Sequence, residues 1–192
     1  MPESWSPDGK TLLFTVAKGS RYAVAALSLT DKTVTPVGGI QSRNPPAATF
    51  SPDGRWVAYS AAAPGQPVGA LFVQPFPPTG ATYPISKSNG FHPMWSPDGK
   101  ELFYFTGVGQ FVSVSVTTRP TFTFGNPVPA QQGFLIDRGT GFERNNDITL
   151  DGKRFLGVVA AGQNAASGAP AAPQIQVVLN WFEELKARVP TK

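Results

Sequence analysis

Cysteine is absent from this 192-residue chain, which excludes disulfides, thiolate chemistry and zinc–sulfur sites. Histidine occurs once, as His92, so a multi-histidine metal site within one chain is impossible. Charge is also scarce. Charged residues make up 15% of the chain against 41% hydrophobic, a balance that belongs to a globular protein and not to a disordered one. No apolar run approaches the roughly 20 residues that a membrane-spanning helix needs, so no span is expected in this chain. The first residues, Met1-Pro2-Glu3-Ser4-Trp5, lack both a basic n-region and an apolar h-region, so no signal peptide is expected either. Since many exported proteins also lack cysteine, the compartment stays open.

Turn-forming residues are abundant. Twenty glycines and 20 prolines, spread without a collagen-like period, suit many short strands joined by tight turns. The net charge of +4 is scattered. Lys10, Arg55, Lys100 and Lys153 each follow a glycine, and no Lys/Arg cluster occurs, which fits solvated hairpin tips better than a nucleic-acid surface. Nucleic acid is not an expected partner.

One element recurs four times. Trp5-Ser6-Pro7-Asp8-Gly9-Lys10, Phe50-Ser51-Pro52-Asp53-Gly54-Arg55, Trp95-Ser96-Pro97-Asp98-Gly99-Lys100 and Ile148-Thr149-Leu150-Asp151-Gly152-Lys153 each lead into an apolar run. The first three copies are spaced by 45 residues and the fourth follows after 53, the excess fitting a longer loop near residues 121–138. Each position has a mechanical role. Proline presets φ for the first corner of a type I turn, aspartate bonds to its own backbone, and glycine supplies the positive φ that closes the turn with a bulge. The four aspartates are therefore turn residues first; a calcium loop would need further oxygen ligands close by, and these are missing. Third and fourth strands are expected at 22–29 and 33–37, at 68–73 and 82–85, and at 111–116 with a weaker stretch at 120–124. Four short strands per 40–45 residues is the spacing of a β-propeller blade.

With these motifs in place, the chain resembles the TolB-like, WD-like β-propeller repeats whose signature is W-S-P-D-G-K before an apolar strand. The resemblance extends through residues 50–60 (FSPDGRWVAYS), 73–77 (VQPFP), 99–104 (GKELFY), 151–156 (DGKRFL) and 177–181 (VVLNW). It is similar to the C-terminal propellers of large bacterial proteins linked to a Ser/Thr kinase or a transcriptional regulator, often extracytoplasmic. The resemblance implies a fold and a role as sensor or interaction platform, without a substrate. The expected fold is an all-β propeller of about four blades, each a four-stranded antiparallel sheet, over residues 1–179, with hairpin motifs at 6–9, 51–54, 96–99 and 149–152. A short C-terminal helix is expected at 180–189, where Asn180 and Glu183 form a capping box and Trp181, Phe182, Leu185 and Val189 an apolar stripe. Between them lie a low-complexity loop, 160–173, and one strand, 174–179.

Such propellers usually have six or more blades and close their ring by lending a strand from one terminus to the other. This sequence offers no spare N-terminal strand. Two readings stay open: a fragment of a longer propeller, or a homodimer in which two copies close a ring of about eight blades, a twofold axis satisfying both edges at once.

No nucleophile elbow, phosphate loop, dinucleotide fingerprint or H-E-x-x-H motif occurs, and no cofactor is expected. In a propeller the loops leading into the innermost strands ring one mouth of the channel. Those loops carry Arg43 and Asn44, Asn89 with His92, and Arg144 and Asn145 followed by Asn146: an amide-rich, neutral-to-basic ring suited to anions, sugars or peptide backbone. The same side chains could instead satisfy loop carbonyls, and His92 could simply bond a neighbouring blade. The expected function is a non-enzymatic binding or scaffold module for a protein or a small polar or anionic ligand. The alternative is a propeller hydrolase or lyase that uses His92 with a nearby acid or tyrosine.

Overall fold

The computed structural model describes residues 1–62, 69–107, 110–130 and 146–157. Among the described residues there is no helix; all regular structure is antiparallel β-sheet. The first blade is β1 (Pro2–Trp5), β2 (Thr11–Lys18), β3 (Arg21–Ser28) and β4 (Val34–Ser42), paired in that order. The second is β5 (Thr49–Phe50), β6 (Trp56–Ala62), β7 (Gly69–Pro75) and β8 (Tyr83–Asn89). The third is β9 (Phe91–Trp95), β10 (Glu101–Gly107), β11 (Gln110–Thr117) and β12 (Thr123–Phe124), with β13 (Val128–Pro129) also pairing β11. The fourth is represented by the hairpin β14 (Asn146–Ile148) and β15 (Phe155–Gly157). The expected C-terminal helix, the strand at 174–179 and the loop at 160–173 lie outside the described residues.

All four hairpins are built alike. In the first, the Ser6 hydroxyl donates to Asp8 Oδ1 (2.6 Å) and accepts from the Thr11 N–H (2.9 Å), while Asp8 Oδ1 also accepts from the Lys10 N–H (3.1 Å). Ser51 with Asp53 and Ser96 with Asp98 repeat this bond at 2.6 and 2.7 Å, and Thr149 supplies the hydroxyl for Asp151. Gly9, Gly54, Gly99 and Gly152 all have φ of 69–70°, the left-handed region that an L side chain resists. These bonds favour the charged carboxylates. The hydroxyls of Ser6, Ser96 and Thr149 hold Asp8, Asp98 and Asp151 below the usual carboxylate range, with the following lysine N–H next in effect. Asp53 is half-buried, which works against ionisation, but its bonds to Ser51 and Arg55 and the Arg119 guanidinium 3.7 Å away still leave it lowered.

The hairpins also stack on one another. A Cβ placed on Gly54 would lie 3.2 Å from Pro7 Cδ; on Gly99, 3.8 Å from Pro52; on Gly152, 3.6 Å from Pro97. Each of these three turn glycines therefore faces the turn proline of the blade before it.

The apolar cores lie between blades, not inside them. Leu13, Val24 and Val37 of the first blade meet Phe50, Val57 and Tyr59 of the second. Trp56, Leu71 and Val73 meet Trp95, Leu102 and Tyr104 of the third, with Phe122 packed among the indoles. Phe103, Phe105 and Phe111 meet Ile148 and Phe155 of the fourth. Because a middle blade is covered on both faces, its strands carry apolar residues at consecutive positions: Trp56 through Ala61 are all buried. The Trp95 indole N–H donates to the Thr49 carbonyl of the preceding blade (3.4 Å), tying innermost strand to innermost strand.

Two strands run further than their sequences suggest. β4 continues to Ser42 because Gly38 and Gly39, both at positive φ, carry the chain through a register shift that returns Ile40 to the core. A Cβ on Gly38 would fall 2.5 Å from the end of the buried Gln74 side chain, so any larger residue there would have to displace that amide as well as adopt a positive φ. β8 likewise reaches Asn89 after a shift opposite Ala70 and Phe72.

Candidate functional site

The loops from β4 to β5 and from β8 to β9 emerge side by side, and a small cleft of about 20 Å³ opens between them. Ser42, Arg43, Asn44, Ala47, Phe91 and His92 line it, with Ser60 and Gly69 below. Arg43 is exposed, while Asn44 and His92 are half-buried. Such a volume holds about one water molecule, so a larger ligand would lie across the mouth and send a single polar group inward.

Ser60 positions the two loops. Its N–H donates to the Pro46 carbonyl of the second blade's leading loop (2.7 Å), and its hydroxyl donates to the Gly90 carbonyl of the third blade's (2.7 Å). Gly90 cannot be replaced freely, because a Cβ would lie 2.7 Å from Leu71 and from the Ser86 hydroxyl. That hydroxyl is itself engaged, accepting from the Leu71 N–H and donating to the Ser88 carbonyl.

A second device aims the side chains. His92 sits at φ 51°, and Ala47, its counterpart one repeat earlier, at φ 50°. On β9 the pairing slips by one residue between Phe91 and Met94, which makes His92 part of a β-bulge. Bulges redirect a side chain and occur preferentially beside functional sites. His92 Nδ1 is buried at this position.

Of the expected ring, Arg43, Asn44 and His92 are brought together. Asn89 ends β8 opposite Ala70 and does not line the cleft. Arg144 and Asn145 lie outside the described residues. Asn146 is buried at the start of β14, its amide N–H directed at Met94 Sδ (3.9 Å) and its Oδ1 without a hydrogen-bond partner among the described residues. Ser60 gave no signal in the sequence, since a serine inside an apolar strand reads as neutral filling. Among the described residues no group of three histidine or acidic side chains could hold a metal ion.

Inter-blade cores, in-register hairpins and radially ordered four-stranded sheets define a β-propeller. No family model and no curated protein matches the chain. Solved structures do. TolB from Acinetobacter baumannii superposes with a TM-score of 0.57 at 19% identity, over 80% of this chain and 36% of that one. A candidate TolB from Agrobacterium tumefaciens gives 0.56 at 17% identity, over 82% and 58%. An oligogalacturonate lyase in complex with manganese gives 0.51 at 15% identity, over 84% and 47%. The chain spans between 36% and 58% of the length of these proteins. At such identities the likeness is one of fold, and the fold is a TolB-like β-propeller.

Proposed function

We propose that the chain is a non-catalytic binding module, part of a larger sensor protein, that captures a small polar or anionic ligand, or a polar segment of a protein partner, at the mouth between its second and third blades. The observation that carries this reading is the double tie of Ser60, which holds the loop bearing Arg43 and Asn44 beside the start of β9, which bears His92. Three polar side chains of different chemistry thereby converge on one opening. The Arg43 guanidinium offers a planar donor fork suited to carboxylate or phosphate, and the Asn44 amide adds a donor and an acceptor. The aromatic Phe91 supplies an apolar wall. In the same reading two copies form a homodimer that closes one ring.

The test is calorimetry against carboxylates, phosphates, sugar acids and acidic peptides, with Arg43→Ala and Asn44→Ala beside the wild type. Loss of a charge-assisted bond worth about 1.5–3 kcal/mol predicts a roughly 10- to 150-fold weaker affinity for Arg43→Ala. Unchanged affinity for every ligand that binds would overturn the reading.

One observation favours a second reading, a hydrolase or lyase: the sole histidine stands on a bulge and lines the cleft. Turnover of an ester, glycoside, lactone or uronate substrate that disappears in His92→Ala would establish it.

A further inference from the structure

The first blade carries an unfinished interface. In the second and third blades, Val57, Tyr59 and Ala61 and then Leu102 and Tyr104 are buried against the blade before them. The equivalent positions of the first blade are Leu12, Phe14 and Val16. All three are only half-buried, although Leu13 between them is fully buried toward the second blade. Trp5 is 55% exposed, whereas its counterparts Phe50 and Trp95 are 6% and 5% exposed. Gly9 completes the pattern: a Cβ there would meet nothing within 4 Å, while the other three turn glycines each face a proline.

The fourth hairpin carries the complementary face. Leu150 stands where Pro7, Pro52 and Pro97 stand, and it is 95% exposed. Leu156 stands where Leu13, Ala58 and Phe103 face the following blade; those three are at most 7% exposed and Leu156 is 54% exposed. Among the described residues the two open faces belong to one chain and do not cover each other.

We propose that the open face of the first blade receives the fourth blade of a second copy, with the partner's Leu150 seated on Gly9 and Trp5 packed over the partner's innermost strand. This rests on the homodimer reading above and gives it a contact and a direction: two identical end-to-end interfaces related by the ring axis. It also predicts that the Trp5 indole N–H meets the Asp147 carbonyl of the partner subunit, as Trp95 meets Thr49.

The experiment is light scattering on a size-exclusion column at micromolar concentration, using wild type, Gly9→Asn and Leu150→Asp. Asparagine tolerates the left-handed backbone, and the space around Gly9 is open, so neither change should disturb an isolated chain. The expected wild-type mass is about 41 kDa, twice 20.4 kDa, with each variant falling to the single-chain value. An equimolar mixture of the variants should associate more strongly than either variant alone, because one of its two interfaces pairs an unmodified Leu150 with an unmodified Gly9 while the other carries both substitutions. A dimeric wild type whose variants also stay dimeric overturns the contact and leaves the homodimer standing. A monomeric wild type overturns both and marks a blade from another polypeptide segment as the occupant.

Discussion

Gly54 of the second blade lies directly against Pro7 of the first, close enough that a Cβ would come within 3.2 Å of the ring. Gly9 has the same backbone conformation, with φ of 69° against 70°, but no neighbour. Replacing each with asparagine therefore separates backbone strain from crowding. Gly54→Asn should melt several degrees below Gly9→Asn, a difference on the order of 1 kcal/mol, when both are followed by circular dichroism at a concentration where the chain is monomeric. Equal melting would mean that the stacked turns are adjacent without being packed.

Ser60→Ala removes both the hydroxyl and its bond to the buried Gly90 carbonyl. An unsatisfied buried acceptor costs about 1–3 kcal/mol, so a clear loss of stability is expected. Ligand affinity at the cleft should fall with it, although Ser60 is not among the residues proposed to contact ligand. Ser60→Thr, which keeps the hydroxyl, should restore both.

His92 tests aim against strain. His92→Gly relieves a left-handed side chain and should melt within a few degrees of the wild type, while abolishing any binding that uses the imidazole. His92→Val places a β-branched residue at positive φ and should be clearly destabilising. Retained ligand binding in His92→Gly would remove the imidazole from the site.

Acid should loosen the hairpins. Asp8, Asp98 and Asp151 have folded-state values lowered from 3.8, and Asp31, bonded to Ser28 and Thr33, is lowered to about 2. A carboxylate with a depressed folded value contributes stability that is complete above its unfolded value and is lost as pH falls through the folded one. Melting temperature should therefore hold steady down to about pH 4 and decline between about pH 4 and pH 2. Asp31→Asn should be less stable than wild type near neutrality and should flatten that decline; an unchanged acid limb would remove Asp31 from the account.

Trp95→Phe deletes the bond to the Thr49 carbonyl and also leaves a small cavity where the larger ring packed near Phe122. A loss of at least about 1 kcal/mol is expected from urea unfolding, with the slope of the transition unchanged.

The hairpins were legible in the sequence because everything that makes them is local: within six residues a hydroxyl, a carboxylate, a proline and a glycine satisfy one another. The period of 45 then carried the argument from one hairpin to three blades, since a repeated turn implies a repeated pairing. The strand ends were less legible. The strand expected at 33–37 ends before Gly38 and Gly39, yet β4 runs past them, because what decides is the cross-strand partner and the buried Gln74 beside them. The cleft was legible in part for the same reason. Arg43, Asn44 and His92 could be placed at one mouth from the repeat alone, but the bulge at His92 and the tie through Ser60 depend on contacts 30 residues apart. Asn89 was placed there because its segment leads into an innermost strand; it ends β8 opposite Ala70 and is not among the residues lining the cleft.

Cores that lie only at the boundaries between blades make this chain a linear stack in its energetics. A middle blade cannot melt alone without stripping two cores, whereas an end blade gives up one. Loss of structure should accordingly begin at the first blade or the fourth and advance inward, with amide exchange slowest in β6, β7 and β10. The same arithmetic makes the fold extensible, because adding one more 45-residue unit at either end adds one blade and one core and leaves the existing boundaries as they were.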